Sequence, residues 1–201
     1  MEETYGRSFA GFIKIKNLAL ILVALVFAVG ILAVSVWRTS SAQAPSLEAT
    51  EAAQESVDYF LAYPGILPDH LLYPIKMIRD RIWLFLTTDP LKKAELFLLF
   101  ADKRLGAGKA LIEKDKIDLG VKTITKAEKY LERAVQQERK AREKGKETTV
   151  FLERLSRATL KHEEILLGVK EKVTDLAQKV IEQTLDYPRH GQEEVRKRLG
   201  K

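Results

Sequence analysis

Apolar residues fall first into one unbroken block and then into repeating stripes. The block is "NLALILVALVFAVGILAVSVW", Asn17 to Trp37, which contains no charged residue. About 20 apolar residues at 1.5 Å rise cover the roughly 30 Å hydrocarbon core of a bilayer, so the block predicts a transmembrane helix over 17–37. A helix that is apolar on every face belongs in lipid rather than on the surface of a water-soluble bundle. Trp37 ends it, where an amphipathic ring suits the interface. Ala24 and Ala28 form a small-xxx-small pair, common by chance in Ala-rich spans, that would allow a homodimer through the anchor.

After a Ser-, Ala-, Thr- and Glu-rich stretch (38–58), the stripes recur at helical spacing. Pro74 fits a first helical turn, and Ile75, Ile78, Ile82 and Phe85 predict one buried stripe on a helix over about 74–86, widened by Trp83, Leu84 and Leu86. "TTDP" (87–90) closes that helix and opens the next, with Asp89 as N-cap and Pro90 at N1. The second helix is expected over about 90–114, with Ala94, Leu98, Ala101 and Leu105 inward. Phe97 and Phe100 lie beside them, while Gly106 and Gly108 weaken the middle. A third, over about 117–144, turns Val121, Ile124, Ala127, Leu131 and Ala134 inward and stops at Gly145. The fourth is expected over about 148–185. Its near-heptad seam runs through Phe151, Leu155, Ala158, His162, Ile165, Val169, Val173, Leu176 and Val180, and Tyr187-Pro188 closes it. The fold class is all-α: a single N-terminal transmembrane helix followed by an antiparallel helical bundle of about four long helices.

Charge gives this plan an orientation. Arg7, Lys14 and Lys16 precede the apolar block, whereas only Arg38 follows it before Lys76. The positive-inside rule therefore predicts a cytoplasmic N-terminus (1–16), a signal anchor (17–37), a juxtamembrane linker (38–58) and an extracytoplasmic helical domain (59–201). Ala42-Gln43-Ala44 has the small-x-small form of a signal cleavage site, so secretion after cleavage near Ala42 is the alternative. Against it, the apolar block exceeds the 7–15 residues of a signal h-region.

Composition removes several kinds of chemistry. With no cysteine, the chain has no disulfide, thiolate metal site or cysteine nucleophile. A net charge of +6, with 34 basic residues interspersed among 28 acidic ones, is not a nucleic-acid arm; it allows a preference for anionic envelope surfaces. The "HEEIL" at His162 lacks the second histidine of a zinc-protease helix. There is neither a Gly-x-Ser-x-Gly elbow nor a phosphate loop, and the carboxylates of "KAEKYLERAVQQERKAREK" sit among lysines as on a solvated helix face. No catalytic residue, metal or cofactor is expected.

The densest cluster of special residues is "YPGILPDHLLYPIKMIRDRI" (63–82), a corner whose candidate interaction residues are Tyr63, Pro68, Asp69, His70, Tyr73 and Lys76. Leu67, Pro68, Asp69, Tyr73 and Lys76 are followed by Asp89 and Pro90, then by Lys92 to Leu96, and then by Ala101 and Lys103 to Leu105. In this order they resemble the domain of unknown function 5667 family over residues 63–111. Two positions depart from the family pattern, Leu71 where proline is frequent and Phe97 where histidine is frequent. The resemblance implies an exported or membrane-anchored helical protein and assigns no activity. The functional expectation is a module that binds an envelope protein or an anionic envelope component. The alternative is a sensory domain that works through a partner subunit.

Overall fold

The computed structural model describes residues 57–200. The expected membrane span (17–37) and nearly all of the linker lie outside the described residues. Within them the chain is helical, with five helices and no strand. These are α1 (Tyr73–Leu86), α2 (Pro90–Ile112), α3 (Ile117–Glu143), α4 (Thr149–Lys170) and α5 (Asp175–Leu199).

Local chemistry places two of the boundaries directly. Asp89 caps α2, its carboxylate accepting from the Leu91 and Lys92 N–H groups at 2.9 and 3.0 Å. A hydrogen bond from Lys146, with those backbone donors, pushes the Asp89 carboxyl down to about 2. Gly145, at φ +73°, ends α3 in a left-handed turn in which the Lys146 N–H reaches the Ala141 carbonyl at 3.1 Å.

The expected fourth helix is two. The chain turns at 171–174 and restarts at Asp175, so the seam holds from Phe151 to Val173 and then fails: Leu176 is 77% exposed. Past the turn the inward residues are Ala177, Ile181, Leu185 and Val195. Nor does Pro188 close the helix. It lies buried inside α5, where the missing N–H removes a single ladder bond while the helix continues to Leu199.

Side-chain pairs fix the topology. Gly108 meets Gly120 and Phe97 meets Tyr130, so α2 and α3 run antiparallel. Lys170 pairs with Glu182 and Glu163 with Arg189, so α4 and α5 do too. Across the two hairpins the neighbours are parallel: α2 beside α4 (Glu95–Arg154) and α3 beside α5 (Glu138–Arg198). The core has two apolar halves. One holds Phe97, Leu98, Leu131, Leu155 and Val195; the other holds Leu105, Ile124, Leu166, Ile181 and Leu185. Asp102, Glu128 and His162 lie between those halves on their respective helices.

Helix α1 overturns the sequence expectation. Its only fully buried residue is Asp80. Ile75, Ile78 and Ile82 are 53–64% exposed and Phe85 82%, so the stripe expected inside faces out.

Candidate functional site

The corner before α1 is closed by its own polar groups. Gly65, at φ +66°, makes the turn that Pro64-Gly65 demands. Lys76 reaches back from α1 and donates to the Pro64 and Ile66 carbonyls at 2.6 and 3.2 Å. Asp69 pairs with Lys116, in the α2–α3 turn, at 2.6 Å, and that hydrogen bond holds its carboxyl below the ordinary value. The His70 Nδ1 accepts from the Leu72 N–H at 3.1 Å, which leaves the proton of a neutral ring on Nε2. Pro64 packs on Gly106 of α2.

Among the six candidate residues, the Lys76 ammonium lies 5.8 Å from the Tyr73 ring centroid, and the Tyr73 N–H donates to the His70 carbonyl at 3.0 Å. Burial raises the Tyr73 pKa and lowers that of Lys76. Pro68 is half-buried in the turn, His70 is exposed, and Tyr63 is 83% exposed with its ring toward solvent. The six do not converge on a common point; Asp69 ties the corner to the α2–α3 turn and Lys76 ties it to α1. Replacing Lys76 with alanine removes both carbonyl bonds at once. Amide exchange across residues 64–72 should then rise more than tenfold while α2–α5 keep their protection, as hydrogen–deuterium exchange would read.

The same inward use of charge fixes α1. Asp80, 2% exposed, accepts from Arg79 at 2.8 Å and lies 3.9 Å from the buried Arg104 of α2. The Arg104 guanidinium stacks 4.1 Å from the Tyr130 centroid and donates to the Phe100 carbonyl at 3.0 Å. A helix turns about 100° per residue, so Lys76, Asp80, Leu84 and Met77 share one side and Ile75, Ile78, Ile82, Leu86 and Phe85 the other. Rotating the apolar side inward would carry Asp80 away from Arg104 and leave a buried guanidinium unpaired, which is strongly destabilising. The placement of Asp80 near Arg104 therefore favours the apolar side facing outward. Leu71, 90% exposed, and Leu72, 47% exposed, directly precede it.

The strongest titratable cluster lies in the core. His162 is fully buried; its Nδ1 is 2.9 Å from Glu128 and its Nε2 3.1 Å from Asp102. Tyr59 donates to the other Asp102 oxygen at 2.7 Å. Burial pushes the imidazole down, but the Glu128 charge and the two carboxylate hydrogen bonds outweigh it and raise the pKa to about 9. Both ring nitrogens are occupied by carboxylates on opposite sides, which is an imidazolium bridge and leaves no lone pair for a metal. Among the described residues, no group of three His, Cys, Asp or Glu side chains is arranged to hold a metal ion. An open cleft of about 570 Å³ lies nearby, with Tyr59, Trp83, Leu99, Asp102 and Arg154 on its walls. Asp102, a buried polar group on that wall, already spends both oxygens on Tyr59 and His162.

Sequence reasoning placed His162 in the seam and missed its partners. A signal for them existed: Asp102, Arg104, Glu128 and Glu138 interrupt or adjoin the apolar stripes of α2 and α3, and a charge on a buried stripe calls for a partner. The exposed side of α1 had no comparable signal, since its isoleucines show the spacing of any buried helix.

The family model described as Domain of unknown function (DUF5667) matches residues 65–176. That is more than half of the 201-residue chain, and it extends the resemblance seen at 63–111 through α4 to the start of α5. No curated protein and no solved structure matches the chain.

Proposed function

The chain belongs to the family described as Domain of unknown function (DUF5667), and we propose that it is a non-catalytic docking module held outside the cytoplasmic membrane by residues 17–37. The observation that carries this reading is α1, whose polar side is spent on the bundle and whose apolar side faces solvent. Contiguous exposed apolar surface rimmed by polar groups marks interaction sites on soluble folds. The Asp102–His162–Glu128 bridge favours a structural over a catalytic use of the titratable groups, because the ring is fully buried and the Asp102 oxygens beside the cleft are already held by Tyr59 and His162.

Photo-crosslinking in intact cells tests the reading. A photoreactive side chain at Ile78 or Phe85 should give discrete adducts, whereas one at Val150, 80% exposed at the start of α4, should give none. Equal yields from α1 and Val150 would remove the proposal.

A further inference from the structure

We propose that the occupant of the outward side of α1 is the anionic headgroup layer of the bilayer in which residues 17–37 are anchored, making α1 an interfacial helix. The proposal rests on the docking reading above and names its partner.

Three observations point to lipid. The first is chemical pattern. The outward side carries Ile75, Ile78, Ile82, Phe85 and Leu86 with Trp83 beside them, all at least half exposed; the exposed Arg81 lies along one edge, and Arg79, on the other edge, is paired with Asp80. Aliphatic and aromatic groups with long basic side chains along the edge are the pattern of helices that lie in the membrane interface, where the arginine heads reach the phosphates.

The second is charge. The sole acidic residue of α1 is Asp80, and it is buried between Arg79 at 2.8 Å and Arg104 at 3.9 Å, which leaves Arg81, unpaired among the described residues, as the cation at the edge of the outward side. The outward side is therefore apolar and cationic with no carboxylate, which complements an anionic leaflet rather than a typical mixed-charge protein surface. A second copy meeting through the same side would bring arginines toward arginines.

The third is reach. The first tie to the bundle among the described residues is at Val57, whose N–H bonds Glu164 at 3.0 Å, 20 positions beyond Trp37. Fully extended, those positions span at most about 70 Å. A relaxed chain of that length has an end-to-end distance of about 25 Å. The bundle helices, at 1.5 Å per residue, are themselves no more than about 40 Å long, so the connecting chain is long enough to let α1 meet the surface. Docking is then intramolecular, and a weak interface suffices.

The full chain, carrying Trp37→Phe so that Trp83 is its sole tryptophan, is reconstituted into vesicles of phosphatidylcholine alone or mixed with phosphatidylglycerol. Headgroup-proximal brominated lipid should quench Trp83 in the anionic vesicles and far less in the neutral ones, and added salt should reverse the quenching. Arg81→Gln should lower the bound-to-free ratio about fivefold. Phe85→Gln, at a side chain 82% exposed and so harmless to folding, should lower it as well. Trp83 unquenched in anionic vesicles overturns the proposal. A Trp83 shift that grows with protein density without bromine quenching also overturns it and assigns the surface to a second copy. If adducts at Phe85 are proteins and Trp83 stays unquenched, the docking reading survives and the lipid occupant falls. If neither responds, both fall.

Discussion

Replacing His162 with alanine should cost about 4 kcal/mol of folding stability, because it leaves two buried carboxylates without the cation between them. In the native protein the ring bridges Glu128 and Asp102 at 2.9 and 3.1 Å inside a fully buried site. One oxygen of Glu128 already lacks a hydrogen-bond partner, so the cluster has no spare donor to absorb the loss. Urea unfolding of the purified variant measures it. Converting Asp102, Glu128 and His162 together to leucine should recover most of the stability, since a well-packed apolar layer needs no counter-charge. Failure of the single variant to destabilise would mean that the bridge carries no net weight.

The bridge also sets a pH dependence. The imidazole pKa rises from 6.5 to about 9 on folding. A group whose folded pKa is raised binds protons more tightly in the native state, so its contribution is fully present below about pH 6.5 and is lost as pH climbs through about 9. The shift corresponds to about 3 kcal/mol. Wild-type stability should therefore fall across that window, and His162→Leu should flatten the curve there. The charged and titratable groups facing the ring are Asp102 from α2 and Glu128 from α3, with Tyr59 acting on Asp102.

The second large effect is expected at Gly108. A Cβ there would collide with Ile124 and come within 2.9 Å of the Gly120 carbonyl oxygen, and one at Gly120 would meet the Gly108 oxygen at 3.0 Å. The obstacle is partly backbone, so α2 and α3 must separate to admit a side chain. Gly108→Val should cost about 3 kcal/mol through overpacking. Gly106 supplies the contrast, because its Cβ would make an ordinary 3.7 Å contact with the Pro64 ring. Gly106→Ala should leave stability unchanged or raise it by up to about 1 kcal/mol through helix propensity. Thermal unfolding of the two variants side by side checks both signs. Two glycines that look equally harmful in a helix thus differ entirely in what stands opposite them.

The same contrast separates what was legible from what was not. Asp89-Pro90 and Gly145 act within a few residues of themselves, and each sits where its local chemistry directs. The inward residues of α2 and α3 follow their 3.6-residue period because each helix has one buried side. The break between α4 and α5 escaped notice because Val173, Leu176 and Val180 extend the seam across a turn by chance of spacing. The corner at 63–76 was recognised as a unit, but its lysine and aspartate turned out to be ties to carbonyls and to Lys116.

By itself the sequence determined an all-α chain, its family and the ends of most helices, since those depend on period and on caps that act locally. It also supplied the apolar block at 17–37, on which the proposed anchoring rests. Tertiary structure alone decided which side of α1 faces the core. Periodicity identifies a stripe without saying what covers it, and here the helix turns Asp80 toward buried Arg104 and leaves Ile75, Ile78, Ile82 and Phe85 exposed. It alone brought Asp102, Glu128 and His162 together from three helices, 60 residues apart at the extremes, because hydrogen bonds between helices depend on register and not on neighbouring residues.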